Sequence, residues 1–99
     1  PFVFALWQVN DRKYIHKELS RLYDILMESR AYGLSHLREL SGTTADRFGI
    51  PAQALLEYWT LFSYGFGEAE RKGLLAYYGH AAEIGAIDAV TDLRFWSKD

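Results

Sequence analysis

The pattern of hydrophobic and polar positions divides the chain into one continuous apolar run and four stretches with helical periodicity. The run from Phe2 to Trp7 is apolar at every position and has no helix-capping residue before it. Because a strand buried on both faces needs apolar side chains on each side, this run predicts a central β-strand over residues 2–7. The predicted fold class is therefore α+β and mostly helical.

The four helical stretches are separated by short polar or glycine-rich segments. An N-cap for the first helix is offered by Asn10 or Asp11. Gly79 lies inside the fourth stretch, where glycine costs about 1 kcal/mol relative to alanine, and it indicates close packing against another element. The chain is predicted to be a single segment. Its helices are predicted at about 11–32, 34–47, 51–61 and 67–85, a short extended segment at 62–66 and an extended tail at 88–99.

The predicted strand has too few partners within this chain. Residues 62–66 and the tail are the only other extended segments predicted, whereas sheets average about five or six strands. An unpaired strand edge recruits a partner, because buried backbone groups without hydrogen bonds are costly. Either most of the sheet lies upstream in a missing portion, or a second copy completes it. For the chain on its own, we expect a symmetric homodimer in which residues 2–7 pair with, or swap into, their copy.

Composition and charge exclude several classes of function. The chain has 99 residues and a net charge of −2, from 11 basic and 13 acidic residues, so nothing favours nucleic acid as a partner. No cysteine is present, which removes disulfides and thiolate zinc sites and fits a cytoplasmic location. No apolar run approaches the roughly 18 residues of a membrane helix. We expect a cytoplasmic protein that binds neither nucleic acid nor membrane.

No pattern of residues specifies a metal site or a catalytic centre. His80 and Glu83 are three apart on a predicted helix, but two ligands do not make a zinc site, and a surface pair is the simpler interpretation. The serines lack the Gly-x-Ser-x-Gly pattern of a nucleophile elbow. Gly65 and Gly67 lack the third glycine of a dinucleotide-binding loop. We therefore expect no metal and no cofactor, and the catalytic residues stay unknown.

Five short motifs follow one another along nearly the whole chain. They are Pro1-Phe2-Val3-Phe4-Ala5-Leu6-Trp7, Tyr32-Gly33-Leu34 with Leu37, Phe48-Gly49-Ile50-Pro51, Tyr64-Gly65-Phe66-Gly67-Glu68, and Gly73-Leu74 with Tyr77-Tyr78. Each is a packing motif. In this order they resemble the C-terminal part of the chorismate dehydratases of menaquinone biosynthesis by the futalosine pathway. The chain departs from that family at Leu61, Phe62 and Ser63, where the family commonly has polar or basic residues.

The resemblance implies a fold like the type II periplasmic binding proteins, with two α/β lobes and a cleft between them. It implies a lyase that eliminates water from chorismate and aromatises its ring, without a metal or redox cofactor. A sister branch forms a dihydroxynaphthoate from a cyclic futalosine derivative. In such proteins the polar residues that act on the substrate lie mainly upstream, so this segment alone is expected to be inactive.

Two aromatic residues are candidates for the substrate-binding site that the resemblance implies. Phe2 begins the strand that would cross the hinge between the lobes, and Tyr64 ends the second extended segment. A place in the hydrophobic core explains both rings better than substrate binding does. Two other functions stay open: a solute-binding or sensing protein of the same two-lobed fold, and a helical interaction module without catalysis. The doubly apolar run at residues 2–7 argues against the module.

Overall fold

The computed structural model describes residues 1–10 and 12–98, and their regular structure is entirely helical. The helices are α1 (His16–Ser35), α2 (Leu37–Phe48), α3 (Ala52–Thr60) and α4 (Glu68–Glu83). The chain forms two compact units: a central unit of residues 14–64, and a terminal unit of residues 1–13 together with 65–99. The prediction of a mostly helical segment is confirmed.

Residues 2–7, for which a strand was predicted, have no regular secondary structure in this chain. A strand exists only where a second strand pairs with it, and neither residues 62–66 nor the described part of the tail, residues 88–98, forms one. The final tail position, residue 99, lies outside the described residues. Phe4 is 88% exposed and Trp7 is 82% exposed, so the described chain leaves this apolar run largely uncovered.

α1 begins at His16, five positions after the predicted start at residue 11. Asp11, one of the two predicted N-caps, lies outside the described residues. Asn10 closes a short turn instead, since its side-chain oxygen accepts a backbone N–H two positions later at 3.0 Å. The helix start is stabilised by Glu18, whose carboxylate accepts the backbone N–H of Ile15 at 3.2 Å. An acidic side chain in the first turn also complements the helix dipole.

α2 and α3 pack against each other and form the core of the central unit. Gly49 ends α2 in the left-handed conformation, with φ 65° and ψ 29°, which glycine adopts at little cost. Pro51, with φ −61°, then leads into α3. The buried residues of this helix pair are Ser41, Ala45 and Leu55. The Ser41 hydroxyl donates to the carbonyl three positions earlier at 2.9 Å, so this buried polar group is satisfied.

The apolar face of α1 is covered only in part. Leu19 is 8% exposed, but Ile15 on the same stripe is 63% exposed. α1 also continues through Gly33, beyond its predicted end near residue 32. A single glycine is tolerated inside a helix when the other residues of that helix favour it. Within the described residues, no helix is both long enough and apolar enough to cross a membrane.

α4 carries the packing of the terminal unit. Its start is fixed by Glu70, whose carboxylate accepts the backbone N–H of Gly67 at 2.9 Å. Leu74 is 5% exposed and is the buried apolar residue of this helix. The helix ends at Glu83, and Gly85 follows with a positive φ of 77°. A glycine in this conformation lets the chain turn away from the helix.

Candidate functional site

Phe2, the first candidate residue, lies against α4 in the terminal unit. Its ring centroid is 5.3 Å from that of Tyr77, with an interplanar angle of 87°. It also lies 4.8 Å from the ring of Phe4, at 72°. Both geometries are edge-to-face, which is a favoured arrangement of aromatic pairs. Because 57% of Phe2 is nevertheless exposed, one side of the ring is held while the other side is accessible.

α4 approaches the start of the chain closely at Gly73. A side-chain carbon at this position would overlap the carbonyl oxygen of Pro1 and would lie 3.3 Å from its carbonyl carbon. The sequence pointed to Gly79 as the place of close packing, but no atom lies within 4 Å of a side-chain carbon built there. The close approach is therefore at Gly73, which shares a helix face with Tyr77 four positions later.

Tyr64, the second candidate residue, ends the central unit. Its backbone carbonyl accepts a hydrogen bond from Arg30 Nη1 at 3.4 Å, which ties the segment after α3 to α1. Its ring lies 6.4 Å from that of Phe62 in a tilted arrangement. Tyr64 is 56% exposed, so neither candidate ring lies in the core of its unit. Phe2 and Tyr64 belong to different units, and each has its own surroundings.

The start of α4 and the tail form a pocket that the sequence did not reveal. The pocket has a volume of about 180 Å³ and is lined by Phe66, Gly67, Glu68, Arg71 and Phe95. The rings of its two phenylalanines lie 5.4 Å apart. No periodicity relates the tail to the start of α4, so only a long-range contact brings them together. Sequence spacing offers no signal for such a contact.

At this pocket, one positively charged side chain pairs with two negatively charged ones. Arg71 Nη2 lies 2.6 Å from Asp92 Oδ1, and Arg71 Nη1 lies 3.5 Å from Glu68 Oε1. The backbone N–H of Leu93, and then the guanidinium, hold the pKa of Asp92 below its usual value. The hydrogen bond to Asp92 raises the pKa of Arg71 in return. One guanidinium faces two carboxylates, so the pocket offers no excess positive charge to an anionic ligand.

Two of the histidines, His80 and His36, contact groups on their own helices or at helix ends. His80 Nδ1 lies 3.5 Å from Glu83 Oε2, and both side chains are more than three-quarters exposed. The His36 ring stacks on Tyr32 at 3.9 Å, and its Nδ1 lies 2.7 Å from the Tyr32 carbonyl oxygen. Over residues 1–10 and 12–98, no group of three or more His, Asp or Glu side chains is close enough to hold a metal ion. Among the described residues, the two candidate rings of Phe2 and Tyr64 are more than half exposed.

Comparison with known proteins gives matches that cover most of the chain. The sequence profile of a family described as menaquinone biosynthesis matches residues 1–83. A chorismate dehydratase from Thermus thermophilus is 36% identical over 77 residues. This alignment covers 78% of the chain and 27% of the relative, so the chain spans about a quarter of that protein's length. None of the solved structures matches. The tail that carries Asp92 and Phe95 lies beyond the residues that the family profile matches.

Proposed function

Because the chain belongs to the menaquinone-biosynthesis family, as its motifs predicted, we propose that it is the C-terminal part of a chorismate dehydratase-like lyase. The observation that carries this proposal is the 36% identity to a chorismate dehydratase over 78% of the chain. The parent protein is cytoplasmic, acts in the futalosine pathway and has the two-lobed fold of type II periplasmic binding proteins. This chain supplies helices that cover the sheet of the parent protein.

The proposed reaction is the loss of one water molecule from chorismate. A ring C–H bond and a ring C–OH bond break, and their hydrogen and hydroxyl leave together as water. The ring becomes aromatic, which makes the elimination favourable, and no electrons are exchanged with a cofactor. A general acid and a general base have to be placed within hydrogen-bond reach of the two reacting positions. We place these groups in the part of the parent protein outside this chain.

The contribution of this chain to substrate binding is aromatic. The Phe2 ring contacts the ring of Tyr77, the backbone of Tyr64 is held by Arg30, and each of the two residues is more than half exposed. An exposed aromatic ring is suited to contact the unsaturated ring of the substrate, which becomes planar as it aromatises. We propose that these two residues line the cleft of the parent protein.

A chimera tests the proposal. The segment of the Thermus thermophilus relative that aligns with this chain is replaced by the sequence of this chain, and formation of the aromatic product from chorismate is followed by absorbance. We expect turnover within about tenfold of the relative, and none above the uncatalysed rate for the isolated 99-residue chain. A chimera with native circular dichroism that binds chorismate without converting it would contradict the proposal and support a solute-binding protein.

Single substitutions in the chimera test the two aromatic residues. Phe2→Leu and Tyr64→Ala are expected to raise KM more than they lower kcat, because each removes a surface that binds substrate and transition state alike. Tyr64→Phe keeps the ring and serves as the matched control. An unchanged KM in both variants would remove Phe2 and Tyr64 from the binding site.

A further inference from the structure

We propose that Gly73 is a positioning residue for Phe2, through a notch in α4 that seats the backbone of Pro1. The missing side chain of Gly73 leaves room for the Pro1 carbonyl, and this seat fixes the ring of Phe2 in edge-to-face contact with Tyr77. The substrate contact of Phe2 rests on the proposed function. The seating itself rests on geometry within the terminal unit alone.

The spacing on α4 matches the spacing of the segment that it holds. Gly73 and Tyr77 are one helical turn apart on the same face, about 6 Å along the axis. Consecutive residues of an extended segment are about 3.8 Å apart at Cα, and a phenylalanine ring reaches several ångströms further. Pro1 at Gly73 and the ring of Phe2 at Tyr77 therefore form two successive contacts of one segment along one helix face.

The contact at Gly73 resists any added side chain because its partner is backbone. A flexible side-chain tip could rotate away from a new methyl group, whereas the Pro1 carbonyl moves only with the segment that contains Phe2. A carbon and a carbonyl oxygen need about 3.3–3.6 Å of separation. The segment would have to shift by about an ångström or more, which is enough to open the edge-to-face contact with Tyr77.

Gly79 provides a matched control on the same helix. Both glycines lie inside α4 and both are disfavoured there relative to alanine. A side-chain carbon at Gly79 meets no atom within 4 Å, so Gly79→Ala changes helix propensity without displacing anything. The comparison of Gly73→Ala with Gly79→Ala therefore separates the notch from the general effect of removing a helical glycine.

The first experiment uses proton NMR of the 99-residue chain. In an edge-to-face pair, the edge protons of one ring lie over the face of the other and are shifted upfield by its ring current. Phe2→Leu and Tyr77→Leu each identify that shift by removing it. We expect Gly73→Ala to abolish the upfield shift and Gly79→Ala to preserve it. An upfield shift that survives in a folded Gly73→Ala variant would overturn the proposal.

The second experiment measures kinetics in the chimera. Because displacement by about an ångström is costly at a binding site, Gly73→Ala is expected to lower kcat/KM by roughly ten- to a hundredfold, mainly through KM. Gly79→Ala should leave both constants unchanged. If Gly73 acts through Phe2, then Gly73→Ala has little further effect on KM in a Phe2→Leu background. Additive losses would instead indicate a purely structural role and refute positioning.

The two experiments test the proposed function and the positioning of Phe2 independently. An inactive parent chimera would remove the proposed function, while the NMR comparison would still decide whether Gly73 seats the segment. If Gly73→Ala does not fold, then Tyr77→Leu replaces it in the kinetic assay, because it removes the other contact of the same seat. Tyr77→Leu with an unchanged KM would then count against the positioning of Phe2 by α4.

Discussion

Replacement of Leu55 by alanine measures how much the contact between α2 and α3 stabilises the central unit. Leu55 is 3% exposed on α3, which packs against α2, and the buried residues of α2 are Ser41 and Ala45. Leu→Ala in a core costs about 2–5 kcal/mol, from the lost transfer free energy and from the cavity that is left. α3 has only 9 residues and can move to close part of the cavity. We therefore expect a loss of about 2–3 kcal/mol.

This loss is large for a chain with so small a core. The buried apolar residues among those that the structure describes are Leu19, Ala45, Leu55 and Leu74. Small domains have free energies of unfolding near the lower end of about 5–15 kcal/mol, so the substitution removes a large fraction of the total. With a urea m-value of roughly 1 kcal/mol/M for so short a unit, the midpoint should fall by about 2–3 M.

Trp59 on α3 provides the measurement. In a background in which Trp7 and Trp96 are replaced by phenylalanine, its fluorescence reports unfolding of the central unit alone. Leu61→Ala is the matched control, because Leu61 follows α3 directly and is 80% exposed. Its midpoint is expected to change by less than about 0.5 kcal/mol in equivalent free energy. Equal midpoints for Leu55→Ala and Leu61→Ala would refute the assignment of this contact as the core.

Three other predictions follow from the described contacts. Gly49→Ala should destabilise the chain by about 1 kcal/mol, because the left-handed conformation of Gly49 disfavours a side chain. Gly42→Ala inside α2 meets no atom and should stabilise the chain by about 1 kcal/mol. Urea unfolding measures both changes, and changes of the same sign would contradict the prediction. The pKa of Asp92 is held low by a backbone N–H and then by a guanidinium, so its stabilising effect is present above its unfolded pKa, near 4, and is lost as the pH falls through the lower folded value. Asp92→Asn should therefore flatten the acid unfolding curve monitored by circular dichroism, whereas Asp88→Asn, which removes the same charge from the same tail, should not. Light scattering of the isolated chain at micromolar concentration should show a dimer that Phe4→Asp dissociates, and a compact monomer with unchanged mass in that variant would contradict self-association through residues 2–7.

The sequence alone determined the family and the helical character of the chain. The ordered motifs identified the family before any comparison, because both the motifs and their spacing can be read directly from the sequence. Helical periodicity is a local property, set by contacts between residues three and four apart, so it can be read without knowledge of distant partners.

The tertiary structure decided every feature that depends on a distant partner. Residues 2–7 have the composition of a buried strand, but residues 1–10 and 12–98 contain no strand that could pair with them, and composition cannot supply one. Gly73 and Gly79 look alike in the sequence, and only the position of Pro1 makes the first a notch. Arg71 and Asp92 are 21 positions apart, so no helical or strand period predicts their ion pair. The role of Phe2 and Tyr64 in substrate binding also depends on distant partners and stays a prediction.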